Sequence, residues 1–365
     1  MTMGSEKIFE YRIQRLLFHR GFFARRNLTI RSYFYPDSVD VTDIDVLGIR
    51  FSDNFHPEVT ICECKSGRTN GTVDRILWMN GLSHYLSADN CVFARPRIKA
   101  KIKNFANELG VIPVDSSLLI EMEKNNEIPD EWIGSFDYKY YESRIPKYYT
   151  SIRRDPKLSK VYWLLRSRFW FDNNITRLKK SLTGLDILVN HNETEAQRWL
   201  LFESCILLSI SIIWLCHEAH PFTSKERSDY IKDMLTTGLG SKENAKKLLD
   251  ATYGVLFALM KEKGVEPSIV DYEHLRLIPP NYSQSLIDLI ERFNHRPKET
   301  VQIPRFLDLF CYEFLFKGNK IDEDKLKEFF PNNIDLIAKL SKNIVRFVTD
   351  NKKISEKIFE PLLNF

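Results

Sequence analysis

The sequence contains little that would tie a protein together through disulfides or zinc. Its six cysteines, Cys62, Cys64, Cys91, Cys205, Cys216 and Cys311, are spread over 365 residues and none forms a C-x-x-C pair. A zinc site of the usual spacing is therefore not expected. Several of these cysteines sit inside apolar stretches, where the residue behaves as a small hydrophobe. An excess of one charge is also lacking. Lys and Arg number 53 against 49 Asp and Glu, a net +4, which permits nucleic-acid binding without demanding it, so the clustering of the basic residues decides. There is no G-x-x-x-x-G-K-[ST] loop, which argues against an intrinsic NTPase. Internal repeats and low-complexity tracts are absent as well. Met1 to Lys7 holds no apolar signal segment, and with unpaired cysteines this leads us to expect a cytoplasmic protein.

What is present is ordinary globular composition, 43% hydrophobic and 28% charged, on a chain long enough for two domains. One apolar run, Trp199 to Cys216, approaches the length of a membrane span. It contains Glu203, Ser204, Ser209 and Ser211, and the glutamate alone would cost roughly 3 kcal/mol on insertion. We read the run as the buried helix of a helical domain, and a membrane is not expected among the partners.

Apolar spacing at Phe9, Ile13, Leu16 and Leu17 predicts a helix over 5–20. Strands are predicted at 28–35, 41–51 and 59–65, followed by a helix at 72–87 with Val73, Leu77, Leu82, Tyr85 and Leu86 as its apolar positions. A strand at 90–95, a helix at 97–109 and a short strand at 110–115 complete the set. Consecutive strands followed by strand–helix alternation imply an α/β N-terminal domain, a mixed sheet flanked by helices, over 1–125. A segment rich in Tyr and basic residues, 126–155, leads into an all-α C-terminal domain over 156–365. Its helical periods fall at 156–171, 193–218, 225–237, 242–262, 282–293, 303–316 and 331–350.

The chemistry is suggested by two of the strands. Side chains alternate across a strand, so Val59, Ile61, Glu63 and Lys65 share one face of 59–65, and a carboxylate and an ammonium stand at the end of an apolar strand. Left without partners they would be costly; a divalent cation would serve Glu63 and a polarised water Lys65. In 41–51 the carboxylate of Asp45 lies in an equally apolar strand, with Asp43 on the same face as an alternative. A short turn joins the two strands, so Asp45 and Glu63 can converge, and two hard oxygen donors with a backbone carbonyl suit Mg²⁺. Glu10, in the first helix, falls at the edge of the apolar stripe and leans toward the sheet.

Asp45 followed by Glu63-Cys64-Lys65 resembles the D…E-x-K motif of the PD-(D/E)XK, or restriction-endonuclease-like, nuclease superfamily. Glu10 is similar to the additional helical acid of its Holliday-junction-resolvase-like and Mrr-like branches. The resemblance covers roughly 5–115, implies that superfamily's αβββαβ core, and does not extend to the helical half. It implies that Asp45, Glu63 and the carbonyl of Cys64 hold Mg²⁺ or Mn²⁺. Glu10 would bind a second ion or orient the first through water, and Lys65 would activate the attacking water. The expected function is a metal-dependent DNA endonuclease, as in restriction or anti-phage defence, with RNA left open as a substrate. A homodimer, or a protein partner held by the helical domain, is a further expectation. The alternative is a non-cleaving nucleic-acid-binding or scaffold protein on a degenerate nuclease fold, with Asp45, Glu63 and Lys65 as an inert ion pair and Glu10 an ordinary solvated acid.

The basic residues Arg68, Arg95, Arg97, Lys99, Lys101 and Lys103 are candidates for phosphate contact or for plain surface charge, and Arg25 and Arg26 are open to the same two readings. Arg75, Asn80 and His84 are candidates for lining the cleft. The Tyr-rich joint is read as packing between domains rather than as a base-stacking platform. His217-Glu218-Ala219-His220 lacks H-E-x-x-H spacing and is read as a helix end.

Overall fold

A computed structural model describes residues 5–32, 39–65, 71–189, 194–238, 242–265, 278–319, 323–331 and 333–365. The chain opens with α1 (Ser5–His19), then β1 (Phe23–Ser32), β2 (Val39–Phe51), β3 (Pro57–Cys64), α2 (Thr72–Leu86), β4 (Asn90–Ala94), α3 (Ala100–Glu108), β5 (Val111–Val114) and α4 (Ser116–Asn125). The five strands form one sheet in sequence order. β1–β2–β3 is an antiparallel meander, and β3–β4–β5 is parallel, with α2 and α3 as the crossovers. The expected mixed sheet flanked by helices is thus present.

Alternation along the strands divides the core in two. On one face Ala24, Val46, Cys62, Cys64, Val92 and Ala94 meet Phe9, Ile13, Leu16 and Leu17 of α1 and Leu119 of α4, which is the use expected for the apolar stripe of α1. Gly48 permits this approach: a Cβ there would stand 3.1 Å from Leu17 Cδ1. On the other face Leu47, Ile49, Ile61, Cys91 and Phe93 pack on Ile76, Met79 and Leu82 of α2, and the same apolar cluster runs on into the helical half.

That half comprises α5 (Tyr138–Arg154), α6 (Pro156–Trp163, prolonged by a π-helical segment Leu164–Arg168), α7 (Asn174–Val189), α8 (Glu195–Ala219), α9 (Ser224–Thr237), α10 (Lys242–Glu262), α11 (Ser283–Asn294), α12 (Ile303–Phe310, prolonged by a second π-helical segment Cys311–Phe316), α13 (Glu323–Phe329) and α14 (Ile334–Lys352). The central α8 is the apolar run. It is long and apolar enough to cross a membrane, and 94% of its most apolar window is buried inside the protein. Its hydroxyls turn back on their own helix, Ser204 Oγ donating to Leu200 O at 2.7 Å and Ser209 Oγ to Ile206 O at 2.6 Å. Glu203 is met by Arg25 from β1, whose Nε donates to Oε2 at 2.9 Å and whose Nη2 donates to Oε1 at 3.1 Å. The same Nη2 reaches Asp308 Oδ1 of α12 at 2.7 Å. Burial alone would lower the pKa of Arg25, but Asp308 and Glu203 more than offset it and raise it above its ordinary value.

Several expectations need correction. Neither Arg25 nor Arg26 is a surface or phosphate-contacting residue; both are buried. Arg26 donates from Nε to Gln14 Oε1 at 2.9 Å and lies over the Tyr11 ring. β1 accordingly begins at Phe23 rather than at 28, and the end of its predicted range, 33–35, lies outside the described residues. In α2 the buried stripe is Ile76, Met79 and Leu82, whereas Val73, Leu77 and Tyr85 are exposed. α2 lies against β4 and β5, and a narrow i, i+3, i+6 stripe serves that contact. Most of the Tyr-rich joint is helix α5, and its rings pack inside the protein: Tyr138 and Tyr141 on Tyr11, Tyr148 and Tyr149 on Trp199. All six cysteines are free and buried.

Replacing Arg25 with Met should lower stability to denaturant by about 3–5 kcal/mol, because it strands two buried carboxylates. Adding Glu203→Gln and Asp308→Asn should restore most of that loss in the same unfolding experiment; a triple variant no more stable than the single one would contradict this account.

Candidate active site

β2 and β3 pair in register as far as Val46↔Cys62. One residue further, the same register sets Asp45 opposite Glu63, on the face that carries α2. The carboxylate of Asp45 then takes over from the ladder: Oδ2 accepts the Cys64 N–H at 2.6 Å. β3 continues beside β4, with the Lys65 N–H donating to Ala94 O at 3.0 Å. The site thus lies where β3 departs from β2, at the C-terminal ends of parallel strands.

Lys65 Nζ stands 3.4 Å from Asp45 Oδ2 and 3.1 Å from Glu63 Oε1. Arg75, in the first turn of α2, brings Nη1 to 3.6 Å from the same Glu63 oxygen. Glu63 is 2% exposed, and its buried Oε1 is held by the ion pairs with Lys65 and Arg75. Burial first, then the charge of Asp45, push the Glu63 carboxyl up to about 7, against the opposing pull of Lys65 and Arg75. The Cys64 thiol is pushed up by burial and by the surrounding acids, Asp45, Glu10 and Glu63 among them.

Glu10 therefore approaches the strand end from the α1 side. It is buried, with Oε2 3.6 Å from Arg26 Nη1, and so is not a solvated surface acid. Asp43, the alternative ligand, is exposed. Asp45, Glu63 and Lys65 come together as the alternation argument required. Among the described residues, no group of three or more His, Cys, Asp or Glu side chains is close enough to hold an ion by itself. Two carboxylates crowded on one buried face nevertheless form a donor pair that suits a hard divalent cation. The positive charge between them here is the Lys65 ammonium.

The surrounding basic residues separate into two groups. Arg95 turns inward and donates to Thr72 Oγ1 at the start of α2. Lys103 pairs with Asp115 at 2.6 Å, and that hydrogen bond, with the Leu118 N–H that Asp115 caps, holds its carboxyl below the usual range. Arg97, Lys99 and Lys101 are exposed on the segment leaving β4 and entering α3. Arg68 lies outside the described residues. Of the three cleft candidates in α2, only Arg75 reaches the site. Asn80 Nδ2 donates to Leu109 O at 2.7 Å, a structural tie, and His84 is exposed. The signal for Arg75 is positional, since it sits in the first turn of the helix that follows the E-x-K strand. His217 packs against His56 and His220 against Phe55 at the end of α8, in keeping with a helix end.

No protein-family model, no curated protein and no solved structure matches this chain.

The crowding at Glu63 carries a sign that can be measured. Its carboxyl rises from an ordinary 4.5 to about 7 on folding, so the folded state holds the proton more tightly. The stability this confers is complete below pH 4.5 and is lost as the pH rises through 7. With a chelator present, Glu63→Gln should therefore be more stable than the native protein at pH 8, by on the order of 2–3 kcal/mol. The two should converge near pH 4, and equal denaturation midpoints at pH 8 would count against a desolvated Glu63.

Proposed function

We propose that the chain is a metal-dependent endonuclease that hydrolyses phosphodiester bonds of DNA. The observation that carries this reading is the convergence of Asp45, Glu63 and Lys65 where β3 leaves β2, with Glu63 almost wholly desolvated. The order helix, three strands, helix, strand supports it further, being that of the αβββαβ core of PD-(D/E)XK nucleases.

Asp45, Glu63 and the Cys64 carbonyl would hold the Mg²⁺ or Mn²⁺, which when bound supplies Lewis acidity to the scissile phosphate and the leaving oxygen. Glu63 must lose its proton to serve as a ligand, so occupancy is favoured above about pH 7. Lys65 is the group on this face able to hold a water by its ammonium and orient it toward phosphorus. Glu10, on the α1 side, would orient bound water or a second ion. Arg75 contributes a positive charge next to Glu63, where a phosphate would gather negative charge. Arg97, Lys99 and Lys101 extend the positive surface along the segment after β4, suited to backbone phosphates.

A second reading rests on the same distances. The Lys65 ammonium already bridges both carboxylates, and a permanent ion pair would leave a nucleic-acid-binding scaffold that does not cut.

Cleavage of supercoiled plasmid, linear DNA and RNA with Mg²⁺ or Mn²⁺ separates the two. The nuclease reading expects metal-dependent cutting of DNA that falls by roughly 10²–10⁴-fold in Lys65→Ala and in Glu63→Gln. Clean native protein that cuts nothing, or cutting that survives both substitutions, would favour the scaffold. In either case Lys99→Ala and Lys101→Ala together should weaken DNA binding and flatten its dependence on log salt by about 0.9 for each phosphate no longer neutralised.

A further inference from the structure

The positive charge of the protein is concentrated in one short stretch. Residues 138–160, which form α5 and the first turns of α6, contain seven Lys and Arg against two acids. That excess is larger than the +4 of the whole chain, so the remaining residues together are close to neutral. Ile145, Tyr148 and Ile152 of α5 turn inward, and the cations turn out: Lys139, Lys147, Arg153, Arg154, Lys157 and Lys160 are all exposed. Both acids are already engaged. Glu142 takes Lys7 Nζ at 3.0 Å and the Tyr11 hydroxyl at 2.9 Å, and Asp155 accepts the Lys157 N–H at 2.8 Å as the N-cap of α6. Among the described residues, Lys147, Arg153, Arg154, Lys157 and Lys160 have no ion pair.

Helix stability does not account for this placement. Arg153 and Arg154 suit the negative end of α5, but Lys139 and Lys157 stand at the positive ends of α5 and α6, where a cation is unfavourable. Neither first turn carries an acid beyond its capping aspartate. Within α5, Lys139, Lys147 and Arg154 share the solvent face, spaced about 12 and 10 Å along the axis. One residue, Asp155, separates the helices, so Lys157 and Lys160 follow directly at the corner.

This row is joined to the end of the sheet that carries Asp45 and Glu63. The π-helical extension of α6 packs on β1. Trp163, at the end of α6, lies under Arg31 of β1, the guanidinium 3.5 Å from the ring centre, and Arg31 pairs with Asp40 at the start of β2. Lys157 precedes Trp163 by about 9 Å along α6, and Asp40 precedes Asp45 by about 17 Å along β2. The row thus begins on the order of 30 Å from the candidate site, roughly one turn of a duplex.

We propose that the corner of α5 and α6 is a docking track for the phosphate backbone of duplex DNA, about one turn from the cut. Exposed cations without acidic partners release condensed counterions from a polyanion, and phosphate contacts of this kind fix its position without reading its sequence. The inference rests on the nucleic-acid side of the proposed function and not on cleavage.

The test measures binding of the full chain to a fluorescent duplex of about 40 base pairs, roughly four turns, by anisotropy with a chelator present and over a range of salt. Lys147→Gln, Arg154→Gln and Lys157→Gln together should fold normally, weaken binding by about tenfold or more, and flatten the slope of log affinity against log salt by about 2–3. Lys225→Gln, Lys298→Gln and Lys357→Gln together remove the same charge from exposed positions elsewhere and should change affinity by less than about twofold. Native protein that binds through the track yet does not cut when metal is supplied would defeat the cleavage reading and leave the track standing. Native protein that cuts, while the first triple variant binds undiminished, would do the reverse. The track is also overturned by equal losses in the two triple variants, by a native chain that does not bind the duplex at low salt, or by a first triple variant that keeps its DNA binding and loses binding to phosphatidylserine vesicles.

Discussion

A buried guanidinium must find negative charge, and Arg25 finds it on two helices far along the chain. Glu203 of α8 and Asp308 of α12 both close on it, and Ser135 completes the group by accepting from Arg25 Nη1 at 3.1 Å and donating to Asp308 at 2.8 Å. Gln14 of α1 joins by donating to the same Ser135 hydroxyl and to the Ala24 carbonyl. α1, the first strand and the helical half are thereby fixed to one another through a few hydrogen bonds whose loss would strand charge in an apolar interior. The fixed placement of α1 is what brings Glu10 to the sheet, and the fixed β1–β2–β3 meander is what sets Asp45 opposite Glu63.

The candidate active site uses charge in the opposite way. Around Arg25 every charge is compensated. At the end of β3, burial and a neighbouring acid leave Glu63 poised between protonated and ionised near neutral pH. Perturbed acids of this kind cluster at functional sites, although structural ion pairs perturb pKa values as well. The geometric observation is therefore the stronger support for chemistry here: two carboxylates and one ammonium on one buried face of a strand end.

Much of this is legible in the residues alone, because it depends on local periods. The two-residue alternation of Val59, Ile61, Glu63 and Lys65 puts the acid and the lysine on one face, and many helices of the second half follow their 3.6-residue periods, although Asn174–Val189 and Glu323–Phe329 fall outside every expected period. What escapes depends on partners distant in sequence. Arg25 and Arg26 look like surface residues until Glu203, Asp308 and Glu10 are known to stand beside them, so β1 begins earlier than its apolar pattern suggests. α5 is hidden by Pro146 and by a run of tyrosines whose partners, Tyr11 and Trp199, lie on other elements. The core face of α2 is ambiguous in sequence because its apolar residues are spread around the helix and only the sheet selects among them. Arg75 is one candidate of three, since a neighbour of Glu63 on a separate element leaves no periodic trace.

The long separation between Arg25 and its last partner also has a consequence in time. Asp308 lies 283 residues after Arg25. A ribosome adding roughly 5–20 residues per second makes the partner on the order of 15–60 s after the arginine. Until Glu203 is made, 178 residues after Arg25, the sheet's first strand carries a cation with no acid from the helical half to meet it, and the face destined for α8 remains wet. The pairing of β2 with β3 that aligns Asp45 with Glu63 is local in sequence, so the two halves of the charge cluster become available at very different times.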